Sequence, residues 1–223
     1  MDWLARIMFT PFASQDNKWL KGMAFGGSFS WGNQKGAGDW EDAPGGELST
    51  VTGFDWFVGD GSLNGQRTRY GAEFMWYAGP VHFNAEWLRV EQEVEDGPSV
   101  NVPVTAWYIE GGVVLTGEDA TVKAVKPKNP FDPRNGKWGA VEICVRYSNA
   151  DVGENAWTVL GMAGDHGRSA DELAVCLNWF LNNNVKVQVM YDHTTIALYD
   201  GPSEGMPPSL TDDAIMFRFQ LKF

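Results

Sequence analysis

No run of about 18 apolar residues occurs anywhere in the sequence, which excludes a transmembrane helix. Basic charge is scarce too: 17 lysines and arginines stand against 29 aspartates and glutamates, a formal net charge of −12. A nucleic-acid binder needs a basic face to displace counterions from phosphates, so nucleic acid is not expected as a partner. Cysteine is nearly absent. Cys144 and Cys176 lack the C-x-x-C spacing of zinc or redox sites and are too few for a disulfide framework. The histidines, His82, His166 and His193, are scattered. No serine sits in a G-x-S-x-G elbow, no carboxylate pair shares a motif and no phosphate-cradling loop is present, so no enzyme, cofactor or metal site is expected. Asp192 and His193 are adjacent, but without further ligands at a usable spacing they read as a pair at a barrel rim. The opening "MDWLARIMFTPF" has an early acid, no basic region and no long apolar core, so it does not read as a secretory signal.

What the chain does hold is glycine (26 residues) and aromatics (13%), a composition that favours short strands over helices. Alternation recurs with regular punctuation. In "RTRYGAEFMWYAGP", Thr68, Tyr70, Ala72, Phe74 and Trp76 oppose Arg67, Arg69, Gly71, Glu73 and Met75. After the "AGP" turn, Val81, Phe83, Ala85 and Trp87 oppose His82, Asn84 and Glu86. "TAWYIEGGVVLTG", "GAVEICVRYS", "ELAVCLNWFL" and "VKVQVMYDH" repeat the scheme, "GMAFGGSFSWG" and "DWLARIMFT" precede it, and "AIMFRFQLKF" closes it. The count is about nine strands of roughly 10 residues, the length that crosses a bilayer when tilted.

Apolar faces repeated without helices to cover them predict an all-β, antiparallel transmembrane β-barrel with lipid outside and water inside. Short turns "AGP" and "NNN" then fall on the periplasmic side, and the long connections 32 to 65, 149 to 171 and 197 to 211 fall outside. Trp76, Trp179 and Phe223 form a lower aromatic girdle, and Tyr70, Trp107, Tyr147 and Tyr191 an upper one. Strict alternation turns Trp138 toward the lumen. A soluble, lipocalin-like ligand-binding barrel is the alternative and requires the faces to be inverted; a structural outer-membrane fragment with no conducting role is another.

One periplasmic connection, 117 to 136, is long and basic. Lys123, Lys126 and Lys128 fall within six positions, Arg134 and Lys137 follow, and Pro127, Pro130 and Pro133 stiffen the segment. Folded into the lumen it would focus an anion-attracting field; left outside it is a solvated charge run. Arg67 and Arg69 also point inward, either to meet passing phosphate or carboxylate or to counter Asp39, Glu41, Asp42, Glu47, Asp55 and Asp60 of their own loop. Arg146 and Arg218 face inward with Glu110 and Glu142 as candidate neutralisers. A hairpin register pairing residue 138 with 182 sets Cys144 opposite Cys176, where a disulfide or two free thiols are both open.

The string "VVLTGEDATVKAVKPKNPFDPRNGKWGAVEICVRYS", followed by "LNWFLNNNVKVQVMYDH" and "MFRFQLKF", resembles the phosphate-selective porin O and P family. An "LTGE" strand end, a basic Lys/Pro segment, "FDP" and a "WGAxE" strand recur there in this order. "MFTPF", "LKGMAFGGSFSWG" and "GQRTRYGAEFMWYAGP" extend the likeness to essentially the whole chain. The resemblance implies that the 223 residues are one β-barrel domain, the C-terminal part of a 16-stranded porin. The full-length porin would be a homotrimer in the outer membrane of a Gram-negative bacterium. Its partners would be the lipid bilayer and small hydrophilic solutes, anions such as phosphate among them. It also implies an outer loop and one periplasmic turn folded into the lumen, with Arg67 and Arg69 matching an arginine-rich stretch that lines the anion path. An odd strand count cannot close an even-numbered barrel, so the chain reads as a partial one. The loop acids depart from the cationic constriction of selective members.

Overall fold

Alternation gives β1 (Asp2–Phe9), β2 (Met23–Asn33), β3 (Glu47–Ser49), β4 (Asp55–Val58), β5 (Ser62–Ala78), β6 (Val81–Glu95), β7 (Ser99–Val114), β8 (Ala140–Val152), β9 (Gly167–Phe180), β10 (Val185–Leu198) and β11 (Ser209–Leu221). The computed structural model describes residues 2–36, 38–96, 99–158, 167–199 and 208–222. Phe223 and His166 lie outside them. Nine strands form one antiparallel sheet in the order β1-β2-β5-β6-β7-β8-β9-β10-β11, and β3 and β4 form a separate hairpin. The all-β antiparallel reading and the nine-strand count hold. The sheet is open, in keeping with an odd strand count: β1 and β11 are its two edges, and among the described residues they do not join into a barrel.

Directly opposed residues share a face, so the register sorts the sheet into an outer and an inner side. One outer row runs Phe9, Phe25, Phe74, Ala85, Ile109, Tyr147, Leu173. Its apolar groups stay uncovered, as do Ile7 (74% exposed) and Phe217 (77%). The inner side carries Glu110, Arg146, Asn178, Gln188 and Arg218 at mid-height and below. This is not the inverted arrangement that a lipocalin-like barrel requires. Aromatic pairs mark two levels on the outer face: Phe29 with Tyr70 and Trp107 with Tyr147, both at 5.6 Å, and lower down Trp19 stacked on Trp76 at 5.8 Å. Trp19 sits in the single-turn α1 (Lys18–Lys21), which Asn17 caps by accepting from the Trp19 amide.

Several strands exceed the expected length, β5 reaching 17 residues. The hairpin of β6 and β7 continues past the apolar band, with Glu91, Glu93 and Glu95 on one face and Val94 and Val102 on the other. Those valines are covered from inside. The connection between β2 and β5 folds back over the inner face, where Trp40, Trp56 and Phe57 pack with Val94, Val102, Val104, Val152 and Ile196. Phe57 is fully buried, a stabilisation of about 1.5–3 kcal/mol. It meets Trp157 of α2 (Asn155–Thr158) edge-on at 5.8 Å. The tip of this loop reaches the far edge, where the Thr52 hydroxyl donates to Asp212 of β11.

Trp138 corrects the alternation argument. It precedes β8 and is separated from it by Gly139, whose φ of +77° breaks the strand pattern. Its ring packs against Phe131, which meets the outer-face Trp179 edge-on at 5.3 Å. Trp138 therefore joins the lower aromatic cluster on the outside.

Candidate pore-lining site

The connection between β7 and β8 divides at its prolines. Its first half turns inward: Ala120 and Val125 are buried against Val114, Ala140 and Phe180, all on inner-face rows, and the Ala120 amide donates to Gly79 O at 2.7 Å. Its second half turns outward, because Phe131 and Trp138 pack on Trp179. Glu118 holds the inner half. Its carboxylate accepts from the Thr116 hydroxyl and, at 3.1 Å, from the Lys128 amide. Burial raises the Glu118 pKa, but the Thr116 bond, the Lys128 amide and the Lys128 charge outweigh it and hold the carboxyl below its ordinary range.

Under this fold lies a cavity of about 760 Å³ along the inner faces of β8 to β11. Lys123, Arg146, Lys186, Arg218 and Lys222 line it, five cations against the carboxylates of Glu110, Glu142 and Glu172. Arg146 is neutralised, its Nη2 donating to Glu110 Oε2 at 2.9 Å with the guanidinium 4.5 Å from the centre of the Tyr108 ring. Lys186 lies 5.6 Å over the Phe180 ring. Lys123 and Arg218 make no ion pair among the described residues, so their charge faces the cavity uncompensated.

Of the basic residues singled out from the sequence, Lys123, Arg146 and Arg218 thus meet in one place. Lys128 turns back to donate to Gly117 O at 2.6 Å, and Lys126 is exposed outside the cavity lining. Arg134 sits in the outward half, in the 3-10 turn Pro133–Asn135. Arg67 and Arg69 lie at the opposite end of the strands. Their partner is a residue that the loop argument overlooked: Asp2 Oδ2 is 3.1 Å from Arg67 Nη2 and 3.9 Å from Arg69 Nη2. Asp2 reaches Arg67 across β2 because Gly32 stands between them, where a Cβ would collide with the Asp2 carboxylate. Arg69 also donates to Ser30 Oγ at 2.7 Å. Asp39, Glu41, Asp42, Glu47, Asp55 and Asp60 stay exposed and form no ion pair with either arginine among the described residues.

Lys186 and Lys222 were legible as polar-face residues but stood outside any motif. Asp192 and His193 prove not to be a pair. Asp192 is buried on the inner face, whereas His193 is on the outer one, its Nδ1 2.9 Å from Asp213. Cys144 stands directly opposite Cys176, as the hairpin register requires, and both thiols are free. Asn178 Nδ2 donates to Glu142 Oε2 at 2.9 Å, and Gln188 Nε2 donates to Cys176 Sγ at 3.0 Å.

The family model of phosphate-selective porin O and P matches residues 52–223, the stretch that contains the end of the acidic loop, the basic turn and the cavity-lining strands. A search of curated proteins gave no significant match.

Proposed function

The chain belongs to the phosphate-selective porin O and P family, whose members are outer-membrane channels, and from that premise we propose that it forms part of the wall of a closed, trimeric porin passing small hydrophilic solutes, anions such as phosphate preferred. All its described strands serve one barrel domain. The two free edges support the larger barrel, because unpaired backbone groups in lipid cost several kcal/mol each and further strands remove that cost. Anion preference rests on one observation, the excess of cations around the inner cavity. Low-dielectric walls raise the local concentration of a counter-ion facing such a cluster. Lys123 from the folded turn, Lys186 of β10, Arg218 of β11 and Lys222 just past its end are the groups assigned to the anion path. Arg146 contributes less because Glu110 offsets it, and Arg67 and Arg69 contribute less because Asp2 does.

The reading is tested on the full-length protein in planar bilayers. Replacing Lys123, Lys186, Arg218 and Lys222 together by Gln moves the reversal potential toward cation preference and weakens block by inorganic phosphate. Replacing Lys126 and Arg134 by Gln leaves both nearly unchanged, since exposed charges outside the path are screened within about 8 Å. An equal shift from the two sets, or none from the first, overturns the assignment.

A further inference from the structure

Beside the cations, the same inner face holds a cluster that anion passage does not use. His82, Gly112, Cys144 and Cys176 form one row across β6, β7, β8 and β9. Neighbours in a row two strands apart ordinarily cannot touch, because the residue between them fills the gap. Here that residue is glycine. A Cβ on Gly112 would lie 2.7 Å from His82 Nε2 and 3.0 Å from Cys144 Sγ, so its absence lets the imidazole lie over β7 and approach the thiol. His82 Nε2 is 4.0 Å from Cys144 Sγ and 3.7 Å from Glu110 Oε1, and its Nδ1 is 3.4 Å from Glu142 Oε1.

We propose that His82, Glu142 and Cys144 bind a borderline divalent metal ion of the Zn2+ class on the lumenal wall, with Cys176 or a pore water as the fourth ligand. The donor atoms of the three lie within 4.8 Å of one another, and all three residues are buried. A tetrahedral site with ligand bonds of about 2.0–2.3 Å sets donors about 3.5 Å apart. Side-chain adjustment of about an ångström closes that difference, and the mixed nitrogen, oxygen and sulfur set suits zinc better than calcium or magnesium.

Two further observations point to a cation rather than to packing. His82 Nδ1 is buried with no hydrogen-bond partner among the described residues, the nearby Glu142 oxygen being out of line. Glu110 has Arg146 as counter-ion, whereas Glu142, among the described residues, meets the neutral Asn178 amide, the Cys144 thiol and the imidazole but no lysine or arginine, and a buried carboxylate without a counter-charge is costly. A divalent ion meets both needs: it takes an imidazole nitrogen, balances the carboxylate, and displaces the Cys144 thiol proton to pore water on binding. The cavity gives it a way in, since His82, Glu142 and Cys144 all line it.

The experiment uses the full-length protein in detergent, isolated without reductant, with Co2+ as a spectroscopic probe and Zn2+ as competitor. Titration with Co2+ gives thiolate-to-metal charge-transfer absorption that Zn2+ bleaches, and Zn2+ protects Cys144 from alkylation. Cys144→Ser at least halves the absorption and Cys144→Ser with Cys176→Ser removes it, and His82→Gln, which takes away a direct ligand, weakens binding by more than the roughly 10-fold lower bound for losing an outer-shell partner. Gly112→Ala keeps every ligand yet weakens binding, because its Cβ displaces the imidazole. The protection assay needs no variant and so holds even where a substitution fails to fold. No charge-transfer band, an unchanged band in Cys144→Ser, or a Cys144–Cys176 disulfide in the isolated protein each overturns the proposal. Bound zinc adds positive charge to the cavity that Arg218 also lines, so it also raises anion preference in bilayers. That consequence alone rests on the channel reading, and its failure leaves the binding result standing.

Discussion

Gly139 decides which way Trp138 faces, and through it how the basic turn is anchored. Its φ of +77° lies in the left-handed region, and a Cβ there would sit 2.3 Å from the Phe180 carbonyl oxygen. Replacing it by alanine forces either strain of about 1–3 kcal/mol or a backbone shift that pulls Trp138 and Phe131 off Trp179. Gly139→Ala is therefore expected to lower the urea midpoint of the folded porin. Gly136, also at positive φ but with open space around it, should accept asparagine at little cost. Such effects explain why single residues were the least legible level. Alternation carried back from Val141 sends Trp138 inward, and nothing in the pattern marks which of the 26 glycines takes a positive φ. The Arg67–Asp2 pair was hidden differently, because its partners lie 65 positions apart and meet only through the register of three strands.

The turn between β7 and β8 shows the same limit one scale up. That it is long, basic and proline-stiffened is plain from the sequence; that it splits, Lys123 inward and Arg134 outward, depends on which apolar residues find a wall, Val125 inside and Phe131 outside. Glu118 ties the inner half down. Because its folded pKa is depressed, the stabilisation it supplies is present at pH above the ordinary glutamate range and is lost as pH falls through the folded value. Hydrogen exchange of residues 117–128, corrected for the intrinsic pH dependence, should accelerate as the pH falls below the ordinary glutamate range. Glu118→Gln, which mimics the protonated acid, should show roughly tenfold faster exchange already at neutral pH, the effect of losing about 1.4 kcal/mol from charge-assisted hydrogen bonds. Unchanged exchange in both conditions would mean that the apolar contacts of Ala120 and Val125 hold the turn alone.

At the scale of the whole molecule the sequence was most informative, because a period of two assigns each residue to a face without reference to anything distant. The pairing of Cys144 with Cys176 needs the hairpin register as well, whereas nine strands and their antiparallel order follow from that period. Closure does not, since it depends on what the edges β1 and β11 meet. The face assignment has a direct test. Leu177 lies on the outer face between Ile143 and Val189 and is 41% exposed, whereas Gln188 faces the inner cavity one strand away. Arginine at position 177 must enter hydrocarbon, at about 2–4 kcal/mol near the midplane and less toward the interfaces. Arginine at 188 enters water, loses the hydrogen bond to Cys176 Sγ, and adds a cation to a wall that already holds Lys186 and Arg218. Leu177→Arg should therefore impair folding into lipid vesicles, seen as loss of the heat-modifiable gel band, while Gln188→Arg assembles and strengthens anion preference. The reverse result would invert the two faces, and with them the lumenal location of both the cation cluster and the His82–Glu142–Cys144 site.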